Sequence, residues 1–334
     1  MRRVAGMFAA IAVLVGLGPA WAGPAASPAA PSPYPTKSID LIAPAPPGRG
    51  WDLTARAAAR IMSEERLVAV PIAVSNMPGG NGAVALSHMI TRRKGDPHAL
   101  AVMGSALTGI LARRVVPYTF RDITPVASVI GDYYLIAVRR DSAFNTLRTL
   151  LEVLRRDPGL ITVGGSLPSG SLNHLAVALL ARQQGIDPTK IRYVAFGDAT
   201  SAVASIAGGT TTVLSASLSE ALSDIEAGHI RVLAILSPER LGGALRGVPT
   251  AREQGVDVVF VNWRGLYMPP DVPPDAVKFW EKTIGKMVKS KSWIRSLDEM
   301  HWTRFVLTGD RLRKFLEADL TQTQSTLKDL GFVR

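Results

Sequence analysis

An α/β protein of two lobes is predicted by three observations. Short runs rich in Val, Ile and Ala alternate with amphipathic stretches, the pattern of βαβ units on a parallel sheet. The 334 residues correspond to about two domains at roughly 150 residues each. Glycine-rich turns recur where strands give way to helices, the places at which ligands collect in open α/β sheets.

The first series begins with an apolar strand at Ile39–Ala43 and a helix from Asp52 to Arg66 whose start carries Asp52 as N-cap. A strand at Val70–Val74, a helix at Ala83–Arg93 and a strand at Leu100–Met103 follow. The second series opens on a helix from Thr146 to Arg156, with Leu147, Leu150, Leu151 and Leu154 on one face. It continues with a strand at Ile161–Val163, a helix at Ser171–Gln184, and strands near Tyr193–Phe196, Thr212–Leu214 and Val232–Leu236. From Pro273 onward helical spacing dominates, as in Leu312, Phe315, Leu316 and Leu320. Too few strand signals remain there for a third domain, so this tail is expected to pack back on one lobe. Lobe 1 is then discontinuous, 36–137 plus 262–334, and lobe 2 is 138–261.

Composition narrows the function. The chain is 47% hydrophobic and 19% charged, with 30 Gly and 23 Pro, which excludes a disordered polymer, a collagen-like chain and a coiled coil. The absence of cysteine excludes disulfides, Cys-ligated metals, thiol nucleophiles and a lipid-bearing N-terminal Cys. Arg2 and Arg3, the apolar run Val4–Leu17, and Ala20-Trp21-Ala22 before Gly23 have the architecture of a secretory signal over 1–22. The uncharged Ala/Pro/Ser stretch 23–35 reads as an extended leader. The formal charge of +11 becomes +9 once Arg2 and Arg3 are removed. The basic residues are scattered pairs, such as Arg113-Arg114 and Arg139-Arg140, with no nucleic-acid motif around them. Their field speeds the arrival of small anions.

Three loops carry the chemistry. Pro44 to Arg56 follows the first strand: Pro46 and Pro47 stiffen the turn, Gly48 and Gly50 let backbone N–H groups approach a ligand, and Arg49, Trp51 and Asp52 complete it. Asp52 either caps the helix and nothing more, or holds an anion-binding helix terminus in place. Asn76 to Ala85 repeats the logic after the second strand, with Gly80 and Gly82 in a dinucleotide-fingerprint variant that lacks the distant acid a nucleotide site needs. The third, Gly164 to Leu175, offers the hydroxyls of Ser166, Ser169 and Ser171 and the free amide of Gly170 to a carboxylate. Ser105, Gly197 and Asp198, Ser217, and Arg264 within Asn262-Trp263-Arg264-Gly265 complete the set at strand ends. No nucleophile elbow, phosphate-loop lysine or His-Glu-x-x-His occurs, so neither a catalytic residue, a metal nor a cofactor is expected.

These motifs together resemble the extracytoplasmic solute receptors of the tripartite tricarboxylate transporter type, also called the Bug family. The resemblance rests on Tyr34-Pro35, the Pro-Gly-x-Gly-x-Asp loop with Ala55-Arg56, Asn76-x-Pro78-Gly79-x-x-Gly82, the Gly-Ser loop with His174-Leu175, and Trp263-x-Gly265, and it spans nearly all of the chain after the signal. It implies a type II periplasmic-binding-protein fold, two Rossmann-like lobes joined by crossing strands, with a carboxylate held in the cleft between them. It also implies a monomeric periplasmic receptor that delivers ligand to membrane permease subunits. A receptor that presents its ligand to a sensor kinase, and an exported enzyme on the same fold, are the alternatives. Trp51 to Arg56 and Asn262 to Gly265 resemble the citrate branch, in which Arg264 offers a bidentate fork to a further carboxylate. Arg49 departs from the usual glycine, and either adds a cation or alters the turn.

Overall fold

The computed structural model describes residues 34–334, and the expected secretory signal over 1–22 and most of the expected leader lie outside them. Tyr34 and Pro35, expected in the leader, are instead packed. The Tyr34 hydroxyl donates to the carbonyl of Pro97 and accepts from the Trp280 indole, and its ring meets His98 and Phe279.

The chain runs β1 (Ile39–Ala43), α1 (Gly50–Glu64), β2 (Ile72–Asn76), α2 (Ala83–Arg92), β3 (Ala99–Gly104), α3 (Ser105–Ala112) and β4 (Thr124–Arg139). It continues α4 (Leu147–Arg156), β5 (Thr162–Gly165), α5 (Leu172–Gln183), β6 (Arg192–Ala195), α6 (Ala199–Ala207), β7 (Val213–Ser217), α7 (Leu218–Glu226) and β8 (Ile230–Ile235). It ends β9 (Val261–Met268), α8 (Pro274–Met287), α9 (Lys291–Glu299), β10 (Thr303–Arg304) and α10 (Gly309–Asp329).

The sheet is curled, in the order β2-β1-β3-β9-β4-β7-β5-β6, with β8 and β10 also pairing on β4. Its two wings are parallel, as the βα alternation predicts: β2-β1-β3 on one side and β7-β5-β6 on the other. The centre is antiparallel. β4 pairs with β9 from Thr124 to Tyr133 and with β7 and β8 from Tyr134 to Arg139, so one 16-residue strand passes from one half of the sheet to the other between Tyr133 and Tyr134. Almost all of it is buried, which is why its sequence shows no period-2 alternation.

Of two apolar clusters, the larger runs through both halves of the sheet and the smaller lies mainly in the second. One gathers Ile39, Leu41, Ile61, Trp263 and Trp280, the other Tyr134, Leu147, Leu150, Leu175 and Phe260. The tail does not pack on one half alone. Leu312 and Leu316 of α10 join the first cluster and Leu327 the second. Asp319 of α10, held in the interior, accepts from the Thr108 hydroxyl on α3 and the Trp263 indole on β9, at 2.7 and 2.9 Å. Burial raises its carboxyl above the ordinary value, and those two donors only partly offset the effect.

The β4–β9 contact has no room for a side chain at Gly265. A methyl group there would overlap the Ala127 carbonyl and approach the Cα of Ser128 to 2.9 Å, both of them backbone. Gly265→Ala is therefore expected to cost about 3 kcal/mol of stability, at the upper end of overpacking effects, read as a lowered denaturant midpoint of the ligand-free protein.

Candidate functional site

α1, α3 and α5 all begin at one cavity. Its volume is about 480 Å³, within the range of roughly 300–1,000 Å³ typical of small-molecule sites. Arg49, Gly50 and Trp51 at the start of α1, Ala106 in the first turn of α3, and Leu172 in the first turn of α5 all line it. Pro44–Pro46, Pro78–Asn81, Leu167, Asn262 and Arg264 complete the wall. Each helix start leaves N–H groups without intrahelical partners and carries a partial positive charge. No Asp or Glu is in the wall.

Arg264 is the cation at the bottom. It is 8% exposed, lies in β9 opposite Ile130 of β4, and places its guanidinium carbon 4.8 Å from the centroid of the Trp302 ring. Its Nη1 donates to the Gly50 carbonyl and the Thr54 hydroxyl at the long distances of 3.3 and 3.4 Å. Both acceptors are neutral. Burial lowers the guanidinium from its ordinary value, Asp132 offsetting part of this, yet arginine remains charged in proteins. Asp132 itself is taken up by the backbone N–H and hydroxyl of Ser219, and burial raises it. A Cβ on Gly50 would stand 2.6 Å from Arg264 Nη2, so glycine is what lets the α1 terminus and the arginine come together.

A network under the first loop fixes that terminus. The buried carboxylate of Asp52 accepts from the Gly48 N–H at 2.8 Å, Arg56 Nε at 2.9 Å and Asn76 Nδ2 at 2.8 Å, while the same Asn76 amide reaches the Ala45 carbonyl. Burial opposes its charge, but the hydrogen bonds from Arg56, Gly48 and Asn76 outweigh it and hold the carboxyl below its ordinary value. Asp52 thus ties down the turn from beneath and is not in the wall. The second loop runs through four left-handed residues, Gly79, Gly80, Asn81 and Gly82, and a Cβ on Gly82 would touch the Trp51 ring at 2.9 Å.

The third loop enters from the other half of the sheet through Leu167 and Leu172, apolar residues that sequence reasoning passed over in favour of their polar neighbours. The Tyr193 hydroxyl donates to the Leu167 carbonyl at 2.6 Å, and the Gly170 N–H donates to Nδ1 of His174, which stacks on Tyr193 at 4.5 Å. Burial lowers His174 to about 4. A lowered histidine takes up its proton in the unfolded chain first, so stability falls as pH drops from about 6.5 to about 4. His174→Gln is expected to flatten that slope in thermal melts over the same window.

Of the expected site residues, Arg49, Gly50, Trp51, Gly80 and Arg264 line the cavity. The others stand behind it or apart. Ser105 is spent on the Val261 carbonyl and the Trp263 N–H, and Ser166 on Glu220 at 2.7 Å. Ser217 starts α7 with its N–H on Glu220, and Ser171 starts α5. Pro47, Gly48 and Ser169 are exposed in their turns. Gly197 and Asp198 form the exposed turn before α6, where Asp198 accepts from the Ser201 N–H at 2.7 Å as an N-cap. The wall residues Pro44–Pro46, Pro78, Gly79, Asn81, Ala106 and Asn262 sit in the recognised turns, but the sequence does not say which turn residues face inward.

Residues 54–332 match the family model described as tripartite tricarboxylate transporter family receptor. Protein BugT of Bordetella pertussis is 26% identical over 312 residues, 92% of this chain and 93% of that protein. A crystal structure of a TctC solute binding protein from Polaromonas superposes with a TM-score of 0.81 at 26% identity, covering 89% of this chain and all of that one. An adipate-bound R. palustris protein and MatC of Rhodopseudomonas palustris with bound malate share the fold, with TM-scores of 0.70 and 0.64 at 22% and 20% identity over 89% and 88% of this chain and 98% and 100% of theirs. The chain belongs to the tripartite tricarboxylate transporter receptor family and is a periplasmic solute-binding receptor, not an enzyme.

Proposed function

We propose that the cavity captures a small polycarboxylate, citrate or a related tricarboxylate, for delivery to the permease subunits of a tripartite tricarboxylate transporter. One observation carries the reading: a buried guanidinium, Arg264, opens on a cavity without acidic residues and has only neutral acceptors for its hydrogen bonds. A buried cation wants a counter-charge, and a ligand carboxylate supplies it. The N–H groups at the starts of α1, α3 and α5 receive the remaining oxygens.

No one of these elements is enough. A helix terminus contributes about 0.3–2 kcal/mol and a hydrogen bond to a charge about 1.5–3, whereas micromolar binding is about 8 kcal/mol. Both halves of the sheet must therefore contribute. In this reading they are lobes, 36–137 plus 262–334 and 138–261, which close on the ligand about the β4 crossing. Arg49 is an added cation at the rim.

Titration calorimetry against citrate, isocitrate, tricarballylate, malate, adipate and glutamate tests the assignment. Micromolar binding of a tricarboxylate, at least about tenfold tighter than the dicarboxylates, is expected. No heat and no thermal shift with any of the six would overturn it.

A further inference from the structure

A second depression, of about 550 Å³, lies where the C-terminal end of α3 meets that of α10. Arg113 and Arg114 enter it from the turn that ends α3, Lys328 from the last turn of α10, and Phe332 and Arg334 from the segment beyond. All five side chains are exposed. No Asp or Glu lines it, and Arg113, Arg114 and Lys328 form no ion pair among the described residues. The acids of α10 are engaged elsewhere, Asp310 with Arg313, Glu317 with Arg121, Asp319 with Thr108 and Trp263, and Asp329 with Arg182. Residues 1–33 contain no Asp or Glu, so that stretch offers no counter-charge either.

Arg113 ties this depression to a turn that lines the ligand cavity. Its Nη2 donates to the carbonyl of Gly170, in the turn that carries Leu167 and Leu172 into the ligand cavity, and its guanidinium lies 5.5 Å from the centroid of the Phe332 ring. Gly170 sits at φ +76°, and its N–H is on His174, so the turn is held from α3 on one side and from α5 on the other.

We propose that this basic depression docks an acidic segment of a partner protein, and that Arg113 transmits the docking to the ligand turn. Four unpaired cations, Arg113, Arg114, Lys328 and Arg334, over a partly apolar floor complement a run of carboxylates, and desolvation by Phe332 strengthens each pair relative to open water. Nη2 carries one hydrogen on each two-donor edge of the guanidinium, so a carboxylate that takes the edge turned toward Gly170 competes with its neutral carbonyl. The carboxylate adds the attraction of a full negative charge, which the neutral carbonyl lacks, and so prevails. The Leu167–Leu172 turn then loses its tie to α3 and the grip on ligand loosens; by reciprocity, bound ligand weakens docking by the same factor. Only this last step rests on the function proposed above.

The test uses the full chain and a fluorescein-labelled octaglutamate peptide in low salt, read by anisotropy. The Arg114→Glu/Lys328→Glu double variant is expected to weaken peptide binding at least about tenfold, and Lys282→Glu/Lys286→Glu, an equal charge change on the exposed face of α8, less than about threefold. Hydrogen exchange over residues 166–174 should speed up severalfold when peptide saturates the protein. In Arg113→Ala it should be fast already and indifferent to peptide, and Arg113→Lys should restore part of the basal protection. Equal weakening in both double variants, or binding of phosphatidylglycerol vesicles in place of peptide, overturns the docking. Unchanged exchange with peptide bound overturns the transmission. None of these readings requires a ligand, so failure to bind citrate and failure of this proposal are separate outcomes.

Discussion

Replacing Arg264 by alanine is expected to lower affinity for citrate at least about 100-fold, while a monocarboxylate loses less than about tenfold. The difference follows from the count of charges. A bidentate guanidinium supplies two charge-assisted hydrogen bonds of about 1.5–3 kcal/mol each, and tenfold in affinity is about 1.4 kcal/mol. A trianion loses one of its few full counter-charges, whereas a monoanion can still lie against the helix starts. The ligand-free variant should melt at the same temperature as the parent or higher, since a buried cation that hydrogen-bonds no carboxylate, with Asp132 offsetting only part of its burial, costs desolvation that alanine does not. Calorimetry over the carboxylate series beside a ligand-free melt checks both halves. Equal weakening across the series would make Arg264 a structural residue.

The second large effect is expected at Asp52. Asp52→Asn keeps the shape but turns an acceptor-only group into one that presents N–H groups to the donors on Gly48, Arg56 and Asn76. Arg56 is half exposed, so water screens part of the loss, and about 2 kcal/mol of stability is expected to go. Ligand affinity should fall as well, because the turn that aims Arg49–Trp51 into the cavity is no longer held. The pH dependence has a definite sign. The folded-state carboxyl is held below its ordinary value, so its contribution is fully present above about pH 4 and disappears as pH falls below that toward the lowered value. Asp52→Asn should therefore melt lower than the parent at pH 7 and converge with it in acid. A gap that is the same at pH 3 as at pH 7 would refute the electrostatic origin.

The outer parts of the fold are legible because their physics is local. β1 is a short apolar run between polar turns, and α4 shows its four leucines at helical spacing, so neither needs knowledge of distant neighbours. β4 and β9 are different. Both are buried on two faces, so no alternation marks them, and β4 carries Ser128 and Asp132 in its interior, each satisfied by residues far along the chain, Leu307 and Ser219. What makes them strands is partner geometry, which one sequence does not display.

The site was legible at the level of turns and not of side chains. Gly50 and Gly80 reach the wall, as backbone-exposing glycines should. Asp198 resembles a site residue for the same reason it is an N-cap: a Gly-Asp pair before a helix serves either use. The hydroxyls of Ser105 and Ser166 are drawn away by acceptors that lie 156 and 54 residues away in the chain, and the wall goes instead to Ala106 and Leu167 beside them.

A crystal structure of the protein grown with citrate would decide the matter. One carboxylate is expected within hydrogen-bonding distance of the Arg264 guanidinium, with the other ligand oxygens on N–H groups around Gly50 and the Leu167–Leu172 turn. Citrate seated elsewhere, with the Arg264 guanidinium still on Gly50 and Thr54, would contradict it.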